Sequence, residues 1–107
     1  MNALKWNKKF ALEQAADDAE LLKELLDIFK DSLKSDLKLI EQGLAEGSAV
    51  KIMGAAHSIK GAAASLGILG INEIALLIEE DSRAGRVDVA RDQYERLHSL
   101  LIELQAL

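Results

Sequence analysis

The 107-residue chain fits one domain spanning residues 1–107, and at 50% hydrophobic and 29% charged it holds enough apolar residues for a real core. A net charge of −5 and a pI near 5.0 argue against nucleic acid as the main ligand. The absence of cysteine excludes a disulfide framework and a thiolate metal site.

No apolar run approaches the ~20 residues of a membrane span, and the N-terminus lacks an apolar signal core. The cytoplasm is therefore the expected location. Proline and threonine are absent, valine occurs three times, and leucine and alanine dominate. That mixture favours helix over sheet.

In chain order, a short first helix is expected over Asn7–Ala16, with Trp6, Phe10 and Leu12 turned inward. Asp17-Asp18-Ala19-Glu20 reads as a capping box, Asp17 accepting from the backbone near Glu20 while Glu20 reaches back. A long helix follows, because Leu22, Leu25, Leu26, Phe29, Leu33, Leu37, Ile40 and Leu44 hold a helical period. Gly47 is its expected stop and Ser48 the N-cap of the next helix, Ala49–Leu66. Gly67 and Gly70 bracket a turn. Ile71, Ile74, Leu77 and Ile78 mark a helix ending at Gly85. Asp88 is the expected cap of the last helix, with Ala90, Tyr94, Leu97, Leu101 and Leu104 as its buried stripe. Four main helices with short loops predict an all-α fold, an antiparallel up-down four-helix bundle, with the short N-terminal helix covering one end. The charged outer faces favour a monomer.

The stretch Ala56-His57-Ser58-Ile59-Lys60-Gly61-Ala62-Ala63-Ala64-Ser65-Leu66-Gly67 holds one of two histidines. At roughly 100° per residue, Gly54, Lys60, Gly61 and Ala64 share a helix face with His57. Ile59 points the other way, with Ile52, Ala56, Ala63 and Leu66 on its side. The apolar stripe thus faces a core and His57 faces out. Glycine inside a helix costs about 1 kcal/mol against alanine. Close approach of a partner's backbone to an exposed imidazole is the simplest compensation.

His-x-x-Lys-Gly, followed by small residues and Leu-Gly, resembles the phosphoacceptor segment of histidine phosphotransfer (HPt) domains. The resemblance extends over nearly the whole chain. An acidic-capped long helix precedes the motif, and two helices with an Arg-Ala-Gly turn follow it. The resemblance implies that His57 is the phosphoacceptor and that Nε2 attacks phosphorus. Imidazole suits this role, since one nitrogen can hold a proton while the other keeps its lone pair. Lys60, one turn on, is either a solvated lysine or a cation beside the phosphoryl oxygens. Two unit charges at 4 Å in water gain only ~1 kcal/mol, so Lys60 would tune the rate rather than decide it. In HPt-like domains the position of Glu79 often holds a group that accepts from the histidine's Nδ1. Many members have glutamine there; modules resembling the chemotaxis-kinase phosphoacceptor have glutamate. The other reading of Glu79 is an exposed residue paired with Arg83 at i+4.

Gly54, Gly61, Ala64 and Arg83 are the expected partner-docking residues. Arg86 reads as a charge complementing a helix C-terminus. Ser58 and Ser65 flank the motif with no base partner readable from sequence. His98, on a helix face without glycines, is the control. No metal-ligand spacing is present, and no Gly-rich nucleotide loop, so neither metal nor cofactor is expected. The chain reads as a phosphorelay carrier rather than an independent catalyst. It would exchange phosphoryl groups with response-regulator receiver domains, which would bring Mg²⁺, or receive them from a hybrid sensor histidine kinase. Two alternatives stand beside this: a bundle that binds receivers without carrying phosphate, and a small hydrolase using His57 as general base.

Overall fold

The leucine period between the first acidic cap and Gly47 produces the longest element, α2 (Ala19–Glu46). The computed structural model describes residues 3–107; Met1 and Asn2, inside the expected single domain, lie outside the described residues. The 28 residues of α2, at about 1.5 Å each, account for the 42 Å long axis of the molecule. Leu22, Leu26, Phe29, Leu33, Leu37 and Ile40 are buried along it, with Leu25 and Leu44 at the margin.

The remaining helices are α1 (Lys8–Gln14), α3 (Ala49–Ser65), α4 (Leu69–Arg83) and α5 (Asp88–Gln105). α2 packs on α3, α3 on α4, α4 on α5, and α5 back on α2. This ring is the expected antiparallel four-helix bundle. Gly47, in the left-handed conformation at φ +67°, lets Ser48 N–H return to the carbonyl of Gly43. Ser48 Oγ then accepts from Lys51 N–H at 3.2 Å and starts α3.

The N-terminal segment closes one end of the bundle. Asn7 N–H donates to the Gly67 carbonyl at 2.9 Å, and Gly70 N–H to the Leu4 carbonyl at 2.8 Å. Trp6 Nε1–H donates to the Leu66 carbonyl at 3.0 Å. A Cβ on Gly70 would collide with the Ala3 carbonyl oxygen, so this close approach requires glycine. Gly70 therefore lies inside the first turn of α4 instead of bracketing the loop.

Several local expectations are corrected. Asp17 adopts φ +62° after α1, so the cap of α2 passes to Asp18, which is extended and accepts from Glu20 and Leu21 N–H at 3.0 and 3.2 Å. α1 buries Ala11 and its C-cap residue Ala15 is buried too, whereas Phe10 is 37% exposed. Leu77 is 51% exposed, because α4 turns Ile71, Ile74, Ala75 and Ile78 inward. Asp88 is the first residue of α5 and makes no cap bond. Asp81 from α4 does that work instead: it accepts from Val89 N–H at 2.9 Å and from Arg86 Nε–H at 2.7 Å.

Candidate functional site

α3 lies between α2 and α4, which fixes what its successive side chains meet. Ile52, Ala55, Ala56, Ile59 and Ala63 are buried, while Gly54, His57, Ser58, Gly61, Ala64 and Ser65 are exposed. The sequence-predicted docking residues on α3 thus share the open face with His57. A Cβ added at Gly54 or Gly61 would meet nothing within 4 Å. Packing within the chain does not demand either glycine.

The His57 side chain is 69% exposed, and its Nδ1 lies 2.6 Å from Glu79 Oε2. Glu79 is 1% exposed, so the reading of it as an ordinary surface glutamate is overturned. The α3–α4 hairpin carries it back to the level of His57 and turns it inward. The Arg83 pairing also forms: Arg83 Nη2 lies 3.2 Å from Oε2. Lys60 Nζ lies 2.5 Å from Oε1. One buried carboxylate thus gathers an imidazole, an ammonium and a guanidinium.

The Lys60 hydrogen bond, above all, holds the Glu79 carboxyl below its ordinary range, against burial, with the His57 hydrogen bond adding to it. An ionised carboxylate can only accept, so Nδ1 carries the proton toward it. Nε2 keeps its lone pair and has no protein partner among the described residues. Asn72 Nδ2–H donates to the Lys60 carbonyl at 3.0 Å, tying α4 to the turn that carries the lysine. Ser82 bonds back to the Ile78 and Glu79 carbonyls at 2.7 and 3.1 Å.

On the other flank, Ser58 Oγ–H donates to Asp36 Oδ2 at 2.8 Å. The sequence reading found no partner for Ser58 and left Asp36 out. The signal was present: Asp36 lies three residues after Leu33 and four before Ile40, on the buried stripe of α2. Ser65 Oγ–H bonds only the Gly61 carbonyl of its own helix, at 3.0 Å. His98 stacks on Tyr94 in α5, ring centroids 6.3 Å apart, and takes no part in the site. Arg86 is held by Asp81 at the α4–α5 turn. Among the described residues no group of three or more His, Asp or Glu could hold a metal ion, and no helix is long and apolar enough to cross a membrane.

Comparison with known proteins agrees with this fold. The Hpt domain family matches residues 24–107, and the chain belongs to that family. Its role is histidine phosphotransfer in a two-component phosphorelay. No curated protein sequence matches significantly. Among solved structures, the chain is similar to histidine-containing phosphotransfer protein B (HptB) from Pseudomonas aeruginosa PAO1. The two are 20% identical with a TM-score of 0.87, over 98% of this chain and 91% of that one. It is also similar to the HPT domain of a sensor hybrid histidine kinase from Shewanella, at 18% identity and a TM-score of 0.80, over 98% and 94% of the two chains. At such identities these structures support the fold.

Proposed function

We propose that residues 1–107 act as one phosphocarrier unit and that His57 is its phosphoacceptor. The observation that carries this is an imidazole exposed at Nε2 and held at Nδ1 by a buried carboxylate. The Nε2 lone pair attacks the phosphorus of a receiver's aspartyl phosphate. An N–P bond forms, the P–O bond to the aspartate breaks, and the aspartate leaves as a carboxylate. The Nδ1 proton stays in the hydrogen bond to Glu79, which becomes charge-assisted as the ring gains positive charge. The return step, to a second receiver, reverses this sequence.

Lys60 and Arg83 meet the charge that spreads over the phosphoryl oxygens. Both are held beside the ring by Glu79. Gly54, Gly61 and Ala64 let the receiver approach. The proposed setting is the cytoplasm, with the chain a monomer that meets receiver domains and a hybrid sensor kinase.

His57→Gln should abolish acid-labile labelling by a phosphorylated receiver and still fold, since glutamine can donate a hydrogen bond to Glu79. His98→Gln should label normally. Label persisting on the first variant, or lost from the second, would reverse the assignment. Gly61→Gln tests the docking face. It should fold, accept phosphate slowly from phosphoramidate as the wild type does, and lose most transfer from the receiver. In-line transfer needs the reacting atoms within about 3–3.5 Å, which a side chain projecting from Gly61 would prevent. Normal receiver transfer in that variant would move docking elsewhere.

A further inference from the structure

Asp36 is a carboxylate that the phosphotransfer step does not use. It sits in the middle of α2, 8% exposed, and its only hydrogen-bond partner among the described residues is the hydroxyl of Ser58. Among the described residues it makes no ion pair. Its second oxygen, Oδ1, has no protein partner, yet no buried side-chain oxygen of the described residues is left unsatisfied. Oδ1 therefore keeps contact with solvent. Ser58, which holds Oδ2, is exposed and adjacent in sequence to His57. Through Ser58, Asp36 thus adjoins the exposed face of α3 that carries His57.

Burial, only partly offset by the Ser58 hydroxyl, pushes the Asp36 carboxyl above its ordinary range. In the isolated domain that is a cost. In a complex it becomes an advantage. Most of the dehydration that normally opposes a buried ion pair is already suffered before docking. An arriving cation gains a charge-assisted bond in a poorly hydrated place. A partner without a cation there would cover Asp36 further and leave it unpaired, and so be rejected.

We infer that Asp36 is the receptor for one lysine or arginine side chain of the receiver that docks on the exposed face of α3. The inference rests on the phosphotransfer reading above and adds a specificity-determining residue to it. It assigns the two flanks different work: Lys60 and Arg83 meet the phosphoryl group, and Asp36 meets the protein that brings it.

The test uses the full chain and the receiver domain that phosphorylated wild-type protein labels fastest among the receivers of its source organism. Asp36→Asn keeps an oxygen for the Ser58 hydroxyl and removes the charge. The KM for that phosphorylated receiver should rise about tenfold or more, with kcat within about twofold. His57 labelling by phosphoramidate should match the wild type. Ser58→Ala, which leaves the carboxylate in place, should raise KM much less. An unchanged KM in Asp36→Asn overturns the inference and leaves the phosphotransfer reading intact. Equal KM increases in both variants, or loss of phosphoramidate labelling in Asp36→Asn, would show that the pair only sets the packing of α3 on α2. That result overturns it too. Wild-type protein that neither donor labels at His57 would instead sink the phosphotransfer reading itself.

Discussion

The two flanks of α3 solve the burial of a carboxylate in opposite ways. On the α4 side, Glu79 at 1% exposure is surrounded by His57, Lys60 and Arg83. On the α2 side, Asp36 at 8% exposure has one neutral hydroxyl. The first carboxyl is held below its ordinary range, chiefly by Lys60, and the second is pushed above it by burial. Consecutive residues, His57 and Ser58, make the two connections, because a helix turns about 100° between them. The difference separates a group completed within the chain from one left to be completed. In the proposed phosphotransfer, Glu79 organises a nucleophile that must be ready before any partner arrives. Asp36 is stabilised by nothing comparable in the isolated domain.

Breaking the α4 flank should have the largest effect. Glu79→Ala removes the acceptor for three side chains, although their outer ends can rehydrate. A stability loss of about 1.5–3 kcal/mol is expected, the usual range for hydrogen bonds to charged groups. The imidazole should also lose its tautomer preference. Nitrogen NMR of His57 would show this as a shift from predominantly Nδ1–H toward a mixture. Glu79→Gln keeps an acceptor oxygen and should retain much of both the tautomer and the transfer. A wild-type tautomer ratio in Glu79→Ala would mean that the contact does not orient the ring.

Lys60→Ala should act more mildly. Lys60 is partly exposed, and its partner Glu79 retains Arg83 and His57. Transfer should slow several-fold without being abolished, since two unit charges 4 Å apart in water gain only about 1 kcal/mol and the partly exposed ammonium gains somewhat more. High salt should reproduce part of the loss in the wild type. A full wild-type rate for Lys60→Ala at low salt would remove this residue from the mechanism.

Much of this arrangement was legible in the chain because it is written in helical period. The stripe from Leu22 to Leu44 and the split of α3 into an Ile59 face and a His57 face need only 3.6 residues per turn. Gly47 and Ser48 were readable because each supplies a backbone conformation or a cap that few residues match. The misses share a different cause. Asp17 and Asp18 are chemically identical cap candidates, and the left-handed turn after α1 decided between them. Asp88 yielded its capping role to Asp81, seven residues earlier on another helix, a relation that spacing does not encode. The depth of Glu79 depends on how α3 and α4 rotate against each other, so His57 and Arg83 were readable as alternative partners while its burial and its bond to Lys60 were not. Asp36 stood on the apolar stripe of α2 as its one carboxylate. An anomaly in a period was the available sign, and its meaning appeared only with Ser58 across the interface.

The finest test of the comparison is the sign of its pH dependence. Glu79 has a folded-state pKa below that of the unfolded chain. In the window between the two, the unfolded chain binds more protons, so its contribution to stability rises with pH. That contribution is complete above the ordinary carboxylate range and is lost as pH falls through the folded value. Asp36 has a folded-state pKa above that of the unfolded chain. Its contribution is present below the ordinary range and is lost as pH rises through the folded value. The two slopes partly cancel in the wild type, and single substitutions should uncouple them. Relative to wild type, Asp36→Asn should become progressively more stable as pH rises from the ordinary carboxylate range through the folded value of Asp36. Glu79→Gln should become progressively less stable as pH rises from the folded value of Glu79 into the ordinary carboxylate range. Taking differences from wild type at each pH removes the carboxylates common to all three proteins, Asp81 included. Thermal melts across that range suffice to measure both. Parallel curves for wild type and Asp36→Asn would mean that Asp36 is hydrated as well in the folded chain as in the unfolded one. The contrast between the flanks would then be geometric only, and a cation arriving at Asp36 would find no dehydrated carboxylate to pair with.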